Sequence, residues 1–166
     1  MKQYDNYKFE TEYYKKGIKY IAGTDEVGRG PLAGPVVASA VIMPKGCYIE
    51  GVTDSKKLSV KKRKALREEI EKKALSIVTI FIDETMIDEI NIYEASRVAM
   101  EKAIAGLNPR PELVFVDAMP LKNCPIDSFS MIKGDEKSFM IGCASIIAKE
   151  IRDEYMNCLL YTSPSP

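Results

Sequence analysis

The stretch from Tyr20 to Val37 limits what this chain can fold into more than any other. It places a short apolar run, two adjacent carboxylates (Asp25 and Glu26), an arginine between glycines (Arg29) and a second apolar run in immediate succession. Tyr20 to Thr24 reads as a short strand and Val36 to Met43 as a longer, largely buried one, because short apolar runs bounded by Gly and Pro favour strand over helix. Gly28, Gly30 and Gly34 open backbone conformations that other residues avoid, and Pro31 and Pro35 exclude a helix interior, so the chain between the strands turns tightly. The expected result is a hairpin-like corner that holds Asp25 and Glu26 at a strand end, beside exposed backbone N–H groups.

Three readings of this corner compete. It is a solvated polar turn with Arg29 as a surface charge; or a Gly-rich phosphate loop; or a site where the carboxylates bind a hard divalent cation while Arg29 and the glycine N–H groups hold a phosphodiester or sugar. The phosphate loop fits poorly. Its glycines are spaced G-x-G-x-x-x-G, no helix follows, and two carboxylates precede it where a pyrophosphate would be repelled.

Composition narrows the chemistry. At 166 residues the chain suits one domain with a real core. Its formal charge is zero, so attraction to a nucleic acid must come from a local patch. Met1 to Lys19 is too polar for a signal peptide and no run reaches transmembrane length, so a cytoplasmic protein without membrane partners is expected. The four cysteines, Cys47, Cys124, Cys143 and Cys158, are far apart and form no C-x-x-C pair, which predicts plain thiols. Histidine is absent altogether. That excludes a Ser-His-Asp or Cys-His centre, a His-based zinc site and imidazole acid–base catalysis, and leaves carboxylates, lysines, tyrosines or a metal.

Along the rest of the chain, Phe9 to Lys16 predicts an amphipathic helix. Ser59 is a good N-cap for a helix running through Lys73, with Leu66, Ile70 and Ala74 on one side. Lys56, Lys57, Lys61, Lys62, Arg63, Lys64 and Arg67 crowd the start of that helix. Cations there oppose the helix dipole, an unfavourable placement that a docked phosphate backbone would offset. Leu75 to Ile82 predicts a third strand, Asp83 to Ile90 a short polar helix or turn, and Ile92 to Leu107 a helix stopped by Pro109 and Pro111. Leu113 to Val116 predicts a buried strand ending at Asp117, and Ile126 to Ile132 another short strand. Asp135 is expected just before a long helix that runs through Asp153, where a carboxylate is favoured by capping alone.

With these segments in order, the chain resembles ribonuclease HII, the type 2 ribonuclease H family. The matching blocks are Gly23 to Val37, Asp54-Ser-Lys-Lys-Leu58, Val116-Asp117, and Lys133-Gly-Asp-Glu-Lys-Ser138 leading into Ala144 to Lys149 and Arg152-Asp153; together they cover residues 18–156. The resemblance implies an α/β ribonuclease H-like fold, a mixed five-stranded sheet flanked by helices. It implies endonucleolytic hydrolysis of RNA in RNA-DNA hybrids, including single ribonucleotides embedded in duplex DNA, and so a part in removing them. By motif, Asp25, Glu26, Asp117 and Asp135 would be catalytic and metal-binding, with Mn2+ or Mg2+ as cofactor. Gly28, Arg29 and Gly30 match the loop that senses the ribose 2'-hydroxyl, and Arg29 favours type 2 over type 3. Ser55, Lys56, Lys57, Lys133 and Ser138 would complete the substrate contacts, with the chain acting as a monomer.

The chemistry agrees with the resemblance. Hydrolysis of a phosphodiester needs an attacking hydroxide and charge stabilisation, which two divalent ions about 3.5 to 4 Å apart supply. Oxygen donors suit magnesium and manganese without any histidine. Crowded carboxylates repel one another, so at least one should bind protons more readily without metal. The alternative function is an inactive fragment that only binds nucleic acid. The residues after Met156 match no block of the family, and its C-terminal histidines and K-G-Y-like motif are not found. A domain over 1–156 and a foreign, poorly ordered tail over 157–166 are therefore expected.

Overall fold

A computed structural model of the chain describes residues 4–28 and 34–162, with 84–90 and 160–162 as backbone only. The elements in order are α1 (Lys8–Lys15), β1 (Ile21–Val27), β2 (Val36–Ile42), α2 (Val60–Lys73), β3 (Ser76–Ile82), α3 (Glu84–Ala105), β4 (Leu113–Asp117), β5 (Asp127–Met131), α4 (Gly134–Lys137) and α5 (Phe139–Thr162). The strands form the expected mixed five-stranded sheet, in the order β3-β2-β1-β4-β5. β1, β2 and β3 pair antiparallel, while β4 lies parallel to β1 and β5 parallel to β4.

Alternation along the strands builds two cores, one on each face, because successive side chains point to opposite sides of a sheet. Ile21 on β1, Val41 on β2, and Leu113 and Phe115 on β4 face one side and pack against α5, α2 and α1, through Phe139, Met140, Ile147, Leu66, Ile70 and Tyr14. Ala22, Ala38, Ala40, Val114 and Val116 face the other side and pack on Ala95, Ala99, Met100 and Ile104 of α3. β2 is buried along its whole length, as its unbroken apolar run predicts.

α5 approaches β1 at Gly23. A Cβ at that position would lie 2.2 Å from the carbonyl carbon of Met140 and 2.4 Å from the nitrogen of Ile141. Only a residue without a side chain lets the helix backbone rest on the strand here. Asp25 lies two residues further along the same face, so this contact brings the start of α5 close to the corner carboxylate.

Several expected boundaries move. β1 extends past Thr24 because its pairing with β2 continues through Asp25 opposite Ser39, Glu26 opposite Ala38 and Val27 opposite Val37. Both corner carboxylates are therefore strand residues rather than turn residues. α2 begins where expected, with the Ser59 side chain accepting from Lys62 N. The polar segment before Ile92 and the helix after it are joined as α3, with a break at Asn91 (φ 62°), whose side chain accepts from Glu94 N.

The single long helix expected after Asp135 is two. Ser138 adopts an extended conformation between α4 and α5, and Asp135 lies inside α4 instead of capping a helix. At the other end α5 continues across residue 156 to Thr162. Extending an existing helix adds one hydrogen bond per residue fixed, and the next strong breaker is Pro164. No helix among the described residues is long and apolar enough to cross a membrane. The four cysteines are free thiols.

Candidate metal centre

Asp25 is the fixed point of the site. Hydrogen bonding to β2 on one side and β4 on the other makes β1 an interior strand, so the Asp25 backbone is held rigidly. Its side chain is buried and accepts from Glu26 N at 2.8 Å. Asp117 arrives at the end of the neighbouring strand β4. Beyond it the chain leaves the sheet sharply: Ala118 takes a left-handed conformation (φ 60°) while Ala118 N still bonds to Met131 O at 2.8 Å. A non-glycine residue at positive φ carries strain of order 1–3 kcal/mol, a feature that clusters at functional sites.

Asp135 arrives from α4, one turn after β5. Lys133, also left-handed (φ 56°), turns the chain into that helix. Gly134 N donates to Asp117 Oδ1 at 2.9 Å, so the start of α4 is tied to the end of β4. The result is a group of three acids, Asp25, Asp117 and Asp135, each offering an oxygen within 4.8 Å of the others.

Glu26 is outside this group. Alternation along β1 directs it to the sheet face opposite Asp25, the face that α3 covers. It remains close enough for its charge to act on Asp25. Asp54, absent from the sequence-predicted set, is brought in instead. It caps a short 3-10 turn over Ser55–Lys57, with Oδ1 accepting from Lys56 N at 2.9 Å, and lies close enough for its charge to act on Asp135. The sequence signal for it was weak: an acid at the head of the Asp54-Ser-Lys-Lys-Leu58 block, where the lysines dominate.

Repulsion and burial act together on these acids. Burial first, then the charges of Asp117 and Glu26, push Asp25 well above the usual carboxylate range. Asp135 is pushed up to about 7 by burial and by the charges of Asp117 and Asp54. Such a group holds protons when no cation is present and gives them up to a divalent ion. Carboxylate oxygens without nitrogen or sulfur donors match hard cations such as Mg2+ and Mn2+.

The other expected substrate contacts divide. Lys56 and Lys133 are exposed near Asp54 and Asp135, respectively. Gly28 (φ 110°) needs its glycine: a Cβ there would lie 2.6 Å from Pro35 O and 2.9 Å from Arg152 Nε. Arg29 and Gly30 lie outside the described residues. Arg152 braces the base of this corner, with Nε donating to Pro35 O at 3.0 Å and the buried Nη2 finding no partner among the described residues.

Ser138 is not at the surface. It is fully buried and its hydroxyl donates to Glu10, so a substrate cannot reach it without unfolding the corner. Ser55 is likewise buried, with its hydroxyl against that of Ser145 at 3.0 Å. The basic start of α2 is partly committed inside the protein. Arg63 is buried against Glu150 at 2.7 Å and Asp153 at 3.2 Å, and Arg67 pairs with Glu71 and Glu154. Lys57 pairs with Glu136, beside Asp135. These cations are paired with acids of the same chain, one pair of them, Arg63 and Glu150, buried.

Comparison with known proteins agrees with this geometry. The family model described as Ribonuclease HII matches residues 22–163. The chain is 53% identical over 156 residues to a ribonuclease HII of Listeria monocytogenes serotype 4b (strain F2365), covering 94% of this chain and 58% of that protein. It is 52% identical over 149 residues to a ribonuclease HII of Listeria innocua serovar 6a, covering 90% and 57%. The chain thus spans a little over half the length of these curated relatives. Among solved structures, the ribonuclease H2 from Pyrococcus horikoshii OT3 superposes with a TM-score of 0.76 at 26% identity, covering 86% of this chain and 76% of that one. The family match begins on β1 and takes in Asp25, Asp117 and Asp135, and on that ground the chain belongs to the ribonuclease HII family.

Proposed function

We propose that the chain is a metal-dependent endoribonuclease that hydrolyses the RNA strand of RNA-DNA hybrids, including single ribonucleotides embedded in duplex DNA. The expected products are 3'-hydroxyl and 5'-phosphate ends. The observation that carries this reading is the convergence of Asp25, Asp117 and Asp135, in a chain of the ribonuclease HII family. All three offer hard oxygen donors, and the upward shifts of Asp25 and Asp135 are what a site built for cations produces when only protons are available.

Asp25, Asp117 and Asp135 would hold the ions, and Glu26, expected from the resemblance as a fourth ligand, acts on Asp25 through its charge. When bound, a pair of divalent ions would supply an activated hydroxide and stabilise charge on the leaving 3'-oxygen. The protein's own part is placement. Interior strand β1 holds Asp25, the Gly134 N–H fixes Asp117 through one oxygen, and α4 carries Asp135 toward both. Selectivity for RNA requires contact with the 2'-hydroxyl, the group that distinguishes RNA from DNA at one nucleotide. The resemblance to the family assigns that contact to Gly28, Arg29 and Gly30, of which only Gly28 is among the described residues. Lys56, two residues from Asp54, and Lys133, two residues from Asp135, are exposed and would meet phosphates.

The decisive experiment uses a DNA duplex carrying one ribonucleotide, incubated with the protein and Mn2+. The wild type is expected to nick 5' to the ribonucleotide, and Asp117→Asn to abolish nicking with an unchanged circular dichroism spectrum. Duplex retained without a nick by the wild type would reduce the chain to a nucleic-acid binder. Nicking by Asp117→Asn at the wild-type rate would overturn the assignment of the carboxylates.

A further inference from the structure

One buried acid is not used by the chemistry proposed above. Glu10 lies on α1, outside the carboxylate group, and is fully enclosed. Its Oε2 accepts from Ser138 Oγ at 2.7 Å and from Met140 N at 3.0 Å, while Oε1 finds no partner among the described residues. Ser138 Oγ in turn accepts from Ile141 N at 3.2 Å. Glu10 and Ser138 thus satisfy donors in the first turn of α5, which the helix itself cannot pair.

The same serine closes the helix that carries Asp135. Ser138 N donates to Gly134 O at 2.7 Å, and Gly134 N donates to Asp117 Oδ1 at 2.9 Å. A continuous set of hydrogen bonds therefore runs from Glu10 through Ser138 and Gly134 to Asp117, with Asp135 one residue from Gly134. An enclosed carboxylate with one unpaired oxygen is a costly way to fill a core. Burial drives its proton affinity upward, to a value of about 7, which shows how unfavourable the position is for a charge. A carboxylate in this position makes sense if the bonds to Ser138 and Met140 do something that packing alone would not.

We infer that Glu10 is a positioning residue for the carboxylate centre: through Ser138 it sets the corner between α4 and α5, and so the approach of Asp135 and Asp117 to Asp25. The inference rests on the metal-centre reading above. It assigns the N-terminal helix a role in the site although no residue of α1 belongs to the carboxylate group. Removing an outer partner that orients a ligand typically weakens metal binding about 10- to 100-fold.

The test is calorimetric titration of Mn2+ into the wild type, Glu10→Ala, Glu10→Gln and Ile104→Ala, with thermal melts of each. Ile104 lies in the core on the opposite sheet face and controls for general loosening. Glu10→Ala is expected to bind Mn2+ about tenfold or more weakly. Glu10→Gln, which keeps an acceptor oxygen for Ser138 and Met140, should stay near the wild type, and so should Ile104→Ala. Wild-type affinity in a folded Glu10→Ala, or an equal loss in Ile104→Ala, would overturn the inference. Should Glu10→Ala fail to fold, Ser138→Ala decides: weakened binding supports the role and unchanged binding refutes it. A wild type that binds no Mn2+ would instead sink the metal-centre reading itself, a result distinct from any difference among variants.

Discussion

Asp25, which is buried, meets the half-buried Asp117 and Asp135, and the free energy of that meeting depends on what neutralises the charge. Without metal the answer is protons. Asp135 is raised to about 7 and Asp25 is also raised, so between the ordinary carboxylate range and neutrality the folded protein binds protons that the unfolded chain releases. Stability then falls as pH rises through that window, since the state with more bound protons is favoured at low pH. The metal-free protein should therefore melt at a higher temperature near about pH 5.5 than near about pH 8. Asp135→Asn should narrow the gap, and saturating Mn2+ should shrink or reverse it because the cation binds the ionised form. Thermal melts followed by circular dichroism check this. A metal-free melting temperature that climbs over the same interval would count against the raised carboxylates.

Elements bring these acids together, and the contact between β1 and α5 is the tightest of them. Gly23 permits it, since any Cβ would overlap the backbone at Met140 and Ile141 rather than a movable side chain. Gly23→Ala is expected to cost about 3 kcal/mol or more, at the upper end of overpacking, because neither backbone can yield without separating strand from helix. Urea denaturation measures the loss; a variant within about 1 kcal/mol of the wild type would show that the interface gives more easily than its geometry implies. The boundaries of most elements were legible from apolar periodicity, Ser59 and the prolines. The split between α4 and α5 was not, because Ser138 breaks the helix through bonds to Glu10, a partner 128 residues away. The basic run at the head of α2 was legible as a run, but the internal pairing of Arg63 and Arg67 was not. Their acids lie on α5 and, in one case, on the next turn of α2.

At the scale of the molecule, zero formal charge means that an RNA-DNA duplex is attracted by local groups or not at all. With Arg63 buried in ion pairs and Arg67 paired with Glu71 and Glu154, the proposed duplex contact falls to exposed lysines such as Lys56. For Asp117→Asn, which should bind without cutting, affinity for a hybrid duplex is expected to fall steeply with salt. Adding Lys56→Ala should reduce the slope of log affinity against log salt by about 1, the share of one phosphate contact. Fluorescence anisotropy over a salt series gives the slope, and an unchanged value would remove Lys56 from the interface.

Sequence by itself determined the strands, the absence of imidazole chemistry and the acids at positions 25, 117 and 135 as candidates. Each depends on side-chain type and short-range spacing, which are written locally in the chain. Only the tertiary structure decided that Asp54 comes near enough for its charge to act on Asp135, that Glu26 is not one of the three grouped acids, and that Ser138 is enclosed and bonded to Glu10. Those outcomes depend on which sheet face each residue occupies and on which distant segment covers it. That is settled by packing two cores at once, and no local pattern encodes it.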